Sequence, residues 1–203
     1  MGIKKQDSNK SLYGLVLAGG KSTRMKFDKS ILHYHGMTQV EHAVHLLEKY
    51  CDKVFVSNRQ DQAQLQGHSM AAQIHDEDEF NDLGPIGGIL SAMKRYPDRA
   101  WLVLACDLPF VNERALQKLL KERDTSKIAT AYKSTHDQLP EPLCAIWEER
   151  SYPWILKFIK QGIYCPRKIL INSDARIIEP QHKNSLDNVN NPEEYKQALK
   201  SFK

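Results

Sequence analysis

Residues 12 to 29 read LYGLVLAGGKSTRMKFDK: an almost wholly apolar hexapeptide, a pair of adjacent glycines, then a basic turn rich in hydroxyls. The run from Leu12 to Leu17 does not alternate, which is the pattern of a strand covered on both faces. Two glycines directly after such a strand let backbone amides approach an anion with no Cβ in the way. Beyond them Lys21, Arg24, Lys26 and Lys29 place four cations within nine residues, with Ser22 and Thr23 as hydroxyl donors. That density of charge suits a triphosphate, which arginine can grip bidentately. A solvated basic turn has the same spacing, so both readings stay open at this point.

One tempting reading fails. Gly19-Gly-Lys-Ser-Thr23 looks like the end of a phosphate-binding P-loop, but G-x-x-x-x-G-K-[ST] would put its first glycine at position 15, where Leu15 stands. Gly14 is one residue off and lies inside the apolar run. The dinucleotide fingerprint G-x-G-x-x-G fails too, since these glycines are adjacent and no third follows.

Working outward, apolar runs alternate with segments of helical period. Val54 to Ser57, Ala72 to His75 and Trp101 to Cys106 read as further strands. Thr38 to Tyr50, Ile86 to Tyr96 and Asn112 to Lys121 read as helices. Val40, Ala43, Val44 and Leu47 recur at helical spacing behind Thr38, a suitable N-cap. This rhythm predicts an α/β fold with a mostly parallel sheet. The second half is less regular. Ile128 to Tyr132 and Pro142 to Trp147 read as strands joined by the polar turn 134–138, pairing as an antiparallel excursion. A helix near Tyr152 to Lys160, a strand near Ile169 to Ile171 and a helix from Asn191 onward complete the chain. With no linker, repeat or low-complexity tract, residues 1–203 read as one domain, with 1–10 as a flexible lead-in.

The composition belongs to a folded, water-facing protein: 41% hydrophobic and 27% charged residues, with a net charge of +4. The charges are mixed along the chain, so nucleic-acid binding is not expected, whereas an anionic small molecule is compatible. No apolar stretch approaches the roughly 20 residues of a membrane span, and the polar MGIKKQDSNKS start carries no signal-peptide core. Cys51, Cys106, Cys144 and Cys165 are far apart, which predicts reduced thiols and a cytoplasmic location rather than zinc or disulfides. His33 and His35 alternate as on one strand face, and His42 and His45 lie three apart. Neither pair has a visible third ligand, so neither is assigned a metal.

The acidic counterpart of the basic loop stands at the end of another apolar run. Asp107 terminates Trp101-Leu-Val-Leu-Ala-Cys106, and in open α/β sheets ligands bind beyond the carboxyl ends of strands. A lone carboxylate there suits Mg²⁺, which keeps several waters and takes its other ligands from substrate phosphates. A turn cap ahead of Pro109 is an equal alternative for Asp107 alone. Within Asp76-Glu-Asp-Glu-Phe-Asn-Asp-Leu-Gly84, mostly a solvated loop, Asp76 stands out because it directly follows a strand-like segment.

Together, Leu17-Ala-Gly-Gly-x-Ser-x-Arg-Met-x-x-Asp-Lys29, Gly84-Pro-Ile-Gly-Gly88, Cys106-Asp-Leu-Pro109 and Asn188-Val-Asn-Asn-Pro-Glu-Glu194 resemble the molybdenum cofactor guanylyltransferases. The blocks appear in that family's order and span residues 12 to 195. The first block alone marks only the wider nucleotidyltransferase superfamily; its combination with the later ones is more specific. The resemblance implies a Rossmann-like nucleotidyltransferase fold, a mostly parallel mixed sheet flanked by helices. It implies GTP and a molybdopterin-type cofactor as substrates, and the guanine dinucleotide form with pyrophosphate as products.

The resemblance also implies roles. Leu17, Ala18 and Gly19 wrap the nucleotide, Gly20 and Arg24 contact the triphosphate, and Lys29 binds GTP. Asn58 and Asp76 contact the nucleotide, and Asp107 holds Mg²⁺ and the nucleotide. Asn188 and Asn190 lie near the pterin substrate, so nucleotide and pterin fall to the N- and C-terminal halves. Arg24, Lys29 and Asp107 are the catalytic set. Transient contact with cofactor-inserting or recipient molybdoenzymes is a further implication.

The chain departs from the family at Lys26, commonly glycine, and at Gly84-Pro-Ile-Gly-Gly88, commonly G-P-L-A-G. Cytidylyl or uridylyl transfer by the same superfamily, and a non-catalytic module that delivers nucleotide or cofactor, are the competing readings.

Overall fold

The computed structural model describes residues 12–20, 25 and 27–202. The expectations placed on Arg24, on Lys26 and on the lead-in 1–10 therefore lie outside the described residues.

Seven strands form one sheet: β1 (Leu12–Leu17), β2 (Lys53–Ser57), β3 (Ala72–Ile74), β4 (Ala100–Ala105), β5 (Ala129–Lys133), β6 (Pro140–Trp147) and β7 (Arg176–Ile178), in the order β3-β2-β1-β4-β6-β5-β7. All neighbours pair in parallel except at β6, which runs antiparallel to both β4 and β5. The sheet is thus mostly parallel and mixed, as expected. The antiparallel pairing of β5 with β6 is present too, but β6 is an interior strand rather than an excursion. Its prolines are tolerated because Pro140 is the first residue of the strand and the ladder is broken at Pro142. The register of β5 on β6 shifts between Ala131 and Tyr132, and Pro142 lies beyond the last β4 pair, Leu104 with Cys144.

The helices are α1 (Gln39–Glu48), α2 (Pro85–Arg95), α3 (Glu113–Lys121), α4 (Ser151–Lys160), α5 (Pro166–Ile171) and α6 (Pro192–Ser201). Thr38 caps α1 in a reciprocal capping box with Glu41, and Asn112 and Asn191 cap α3 and α6 through their side chains.

Continuous apolar strands are explained by cover on both faces. On one side Val16, Leu102 and Leu104 pack with Val44 and Leu47 of α1 and Leu116 and Leu119 of α3. On the other, Leu15, Trp101 and Val103 pack with Ile86, Ile89 and Leu90 of α2, Ile155 of α4 and Ile169 of α5. A third cluster joins α6 to the segment after β1, through Ala198, Val189, Leu32 and Tyr34.

One expectation is corrected. Residues 169–171 are not a strand but the end of α5, and the local strand is β7, further on at Arg176–Ile178. Pro166 at the first helical position presets the backbone. Ile169 and Leu170 are buried while Ile171 is half exposed, one helical face rather than an alternating ribbon. Three apolar residues in a row carry too little periodicity to separate the two.

Candidate active site

The strand order reverses direction at β1. The chain moves outward through β2 and β3, then returns over α2 to place β4 on the other side of β1. Such a switch point opens a crevice at the carboxyl ends of the strands. Here the strand ends stay zipped past their last ladder pairs. Ala18 N–H donates to Ser57 O at 2.8 Å, Cys106 N–H to Leu17 O at 3.1 Å, and Asn58 N–H to Ile74 O at 3.2 Å. This zipping brings Ala18-Gly19-Gly20, Asn58, Asp76 and Asp107 to one rim, although the sequence scatters them over about 90 positions.

They line a cleft of about 890 Å³ together with Leu17, Lys29 and Asn190, a size suited to a small ligand. Asn188 is exposed and does not contribute to the lining. Of the expected residues within the described chain, all but Asn188 therefore converge.

Asp107 and Lys29 form the charged floor. Lys29 opens a short 3₁₀ turn, Lys29–Ile31, capped by the Asp28 side chain. Its Nζ donates to Oδ1 of Asn190 at 2.7 Å and lies 3.8 Å from Oδ2 of Asp107. Val189 N–H donates to Asp107 O at 2.9 Å, which fastens the Asn190 segment to the end of β4. Burial pushes the Asp107 carboxyl up, and the Lys29 ammonium pulls it back. Asp107 Oδ1 is buried with no hydrogen-bond partner among the described residues. An orphaned carboxylate oxygen is costly unless something claims it. A hard cation that takes its remaining ligands from water and phosphate fits this donor. Among the described residues no group of three His, Cys, Asp or Glu side chains is placed to cage a metal alone. An ion bound at Asp107 would complete its shell with water or substrate phosphates.

Asp76 sits at the opposite wall, against the first turn of α2. A Cβ on Gly87 would come within 2.9 Å of its Oδ2, so only glycine allows this approach. Burial raises the Asp76 carboxyl to about 6; His75 lowers it and Asp82 raises it further. Gly88, in the next position, leaves room for Ser57 Oγ, which a Cβ would meet at 2.4 Å. The helix start thus admits neighbouring polar groups close to its backbone.

Residues that sequence reasoning missed hold the loop in place. Arg59 Nη1 donates to Gly19 O at 2.8 Å and Gly20 O at 2.9 Å, while its Nε and Nη2 bind the Asp61 carboxylate, each at 3.0 Å. With the Gly19 and Gly20 carbonyls drawn to Arg59, the path of the loop beside the cleft is fixed. A cation directly after Asn58 at a strand end was the available signal. Gln62 Nε2 donates to Ala18 O at 3.0 Å and also to Asp28. Nothing in its sequence neighbourhood marks it.

Two of the histidines weighed above meet each other. His35 stacks on His42 with centroids 3.7 Å apart and bonds Pro109 O at 3.1 Å. Trp147 is wholly buried and donates to Pro142 O, and Trp154 donates to Ser173 Oγ under the Lys157 ammonium. All four cysteines are free.

The MobA-like NTP transferase domain model matches residues 14–177. A molybdenum cofactor biosynthesis bifunctional protein of Synechocystis is 37% identical over 196 residues, covering 97% of this chain and 56% of that protein. The chain therefore spans little more than half of that relative. A Nostoc protein named "Probable molybdenum cofactor guanylyltransferase" is 26% identical, with 91% of this chain and 88% of that one covered. Among solved structures, molybdopterin-guanine dinucleotide biosynthesis protein A of Archaeoglobus fulgidus superposes with a TM-score of 0.76 at 25% identity, covering 93% and 97%.

Proposed function

This chain belongs to the MobA-like NTP transferase domain family, and from that premise we propose that it transfers GMP from GTP to the terminal phosphate of a molybdopterin-type cofactor, releasing pyrophosphate. The observation that carries the proposal is the convergence of Gly19-Gly20, Lys29 and Asp107 on one cleft whose other wall holds Asp76 and Asn58.

The nucleotide's triphosphate lies along the Ala18–Gly20 backbone, and its base and ribose face Asn58 and Asp76. The pterin phosphate approaches past Asn190, with Asn188 further out. Asp107 would hold Mg²⁺, which when bound supplies charge neutralisation at the phosphates. Lys29 stabilises charge on the transferring and leaving oxygens. Asn190 holds the Lys29 ammonium in place, and Arg24 adds a second cation. The nucleophile is a phosphate oxygen, anionic near neutral pH, so positioning and charge carry the reaction and no general base is needed.

No described helix is long and apolar enough to cross a membrane; a cytoplasmic location belongs to the same proposal. Hand-over of the product to inserting or recipient molybdoenzymes belongs to the same proposal. The test is pyrophosphate release from each NTP, with and without pterin cofactor. Release confined to GTP plus pterin is expected. Release with CTP or UTP would move the assignment within the superfamily, and none with any NTP would favour a delivery module.

A further inference from the structure

The loop that carries Lys29 and the wall that carries Asn58 are joined by a buried side-chain relay through His68. This imidazole is fully buried, in a short turn before β3. Its Nε2 lies 2.8 Å from Ser30 Oγ and its Nδ1 2.8 Å from Asn58 Nδ2. Proton directions follow from the ends inward. Ser30 Oγ–H donates to Asp28 Oδ1 at 2.7 Å, so the hydroxyl accepts from His68, whose Nε2 therefore bears the proton. His68 Nδ1 is then bare and accepts one amide proton of Asn58. The second amide proton goes to Gln73 Oε1 at 3.0 Å, and Gln73 in turn donates to Ala63 O. Burial pushes the His68 pKa down, only partly offset by Asp28, which keeps the ring neutral as this pattern demands.

Both Asn58 N–H groups are thereby spent, and its Oδ1 remains buried with no partner among the described residues. The amide cannot flip without setting its carbonyl oxygen against Gln73 Oε1 and the bare His68 Nδ1. Within the functional reading given above, on which this inference rests, Asn58 lines the nucleotide cleft and Lys29 follows Asp28 directly.

We propose that His68 is a positioning residue: it fixes Asn58 as a pure hydrogen-bond acceptor toward an N–H or O–H group of the bound nucleotide, and ties that wall to the turn bearing Lys29. His68 touches no reacting atom and acts through Asn58 and Ser30.

The test has two arms. Nitrogen NMR of the histidine-labelled full chain at neutral pH reads the tautomer directly. A neutral ring protonated at Nε2 is expected; protonation at Nδ1, or an imidazolium, overturns the relay whatever the enzyme does. The second arm is a kinetic cycle of His68→Leu with Asn58→Ala, read as KM for GTP and kcat separately. His68→Leu is expected to raise KM by roughly tenfold or more, since small misplacements are costly. It should add almost nothing once Asn58 is alanine. His68→Gln, which offers one acceptor and one donor, should recover most of the loss.

Additive losses in the double variant, or a His68→Leu enzyme with unchanged KM, overturn the positioning role. Should His68→Leu fail to fold, Gln73→Leu removes the other acceptor of the Asn58 amide and is held to the same non-additivity. Wild-type enzyme without turnover of any NTP overturns the functional reading instead, a result the tautomer spectrum distinguishes.

Discussion

Lys29 and Asn190, 161 positions apart in the chain, meet at 2.7 Å. The bond ties the capped turn after β1 to the segment that Val189 anchors on the end of β4. Since Lys29 also faces Asp107 at 3.8 Å, the C-terminal segment helps set where the ammonium stands. Lys29→Ala should lower kcat roughly a hundredfold to a thousandfold, the scale of one preorganised electrostatic contact. Asn190→Ala leaves the charge but removes one of the contacts that position it, so a smaller loss of about tenfold is expected, mostly in kcat. Steady-state kinetics on both variants check this ordering. Equal losses, or Asn190→Ala below Lys29→Ala, would contradict it.

Asp107 is held at a thermodynamic disadvantage: burial raises its carboxyl pKa, with only partial relief from Lys29. A group kept ionised against that tendency costs stability at neutral pH. Asp107→Asn should therefore abolish turnover while leaving Tm unchanged or higher. Thermal unfolding beside an activity assay decides this. A variant that loses Tm sharply would make Asp107 a structural cap.

Asp76 gives a pH prediction with a definite sign. Folding raises its carboxyl from 3.8 to about 6, so the folded chain holds this proton more tightly than the unfolded one. The associated stability is full below about pH 4 and is lost as pH rises through 6. Asp76→Asn should thus be more stable than wild type at pH 8, by less than the roughly 3 kcal/mol the full shift would give, since this partly exposed carboxyl is screened by solvent, and equal to it at pH 4. Denaturant melts at the two pH values measure the difference. GTP binding, which uses the carboxylate in this account, should weaken as pH falls through 6 in wild type and be weak throughout in the variant.

Away from the cleft, Arg123 grips Glu148 with two bonds of 2.7 and 2.8 Å, and Glu148 is almost fully buried. Arg123→Ala leaves that carboxylate unpaired and should destabilise the fold by about 3–5 kcal/mol. Chemical denaturation checks it, and the double variant with Glu148→Gln should recover part of the loss.

Much of this was legible in the sequence where the physics is local. Leu12 to Leu17 and Trp101 to Cys106 are strands because only double-sided cover tolerates such runs. Thr38, Asn112 and Asn191 are caps because their side chains bond the first helical amides. The cleft was legible at its strand ends, where Gly19, Asn58, Asp76 and Asp107 each follow a readable strand. The Ile169 to Ile171 segment was misread because three apolar residues do not report a period. Gln62, His68 and Gln73 went unseen for a different reason. Each acts through a tertiary bond to a backbone carbonyl or a side chain from another turn, and no spacing rule encodes such a meeting.

The most direct measurement is incorporation of labelled GMP from α-labelled GTP into the pterin cofactor, with pyrophosphate counted alongside and CTP, UTP and ATP as competitors. The account predicts one pyrophosphate for each guanine dinucleotide formed, dependence on both substrates, and loss of the product in Asp107→Asn and Lys29→Ala. Pterin-independent pyrophosphate release, or a dinucleotide formed equally from every NTP, would contradict it.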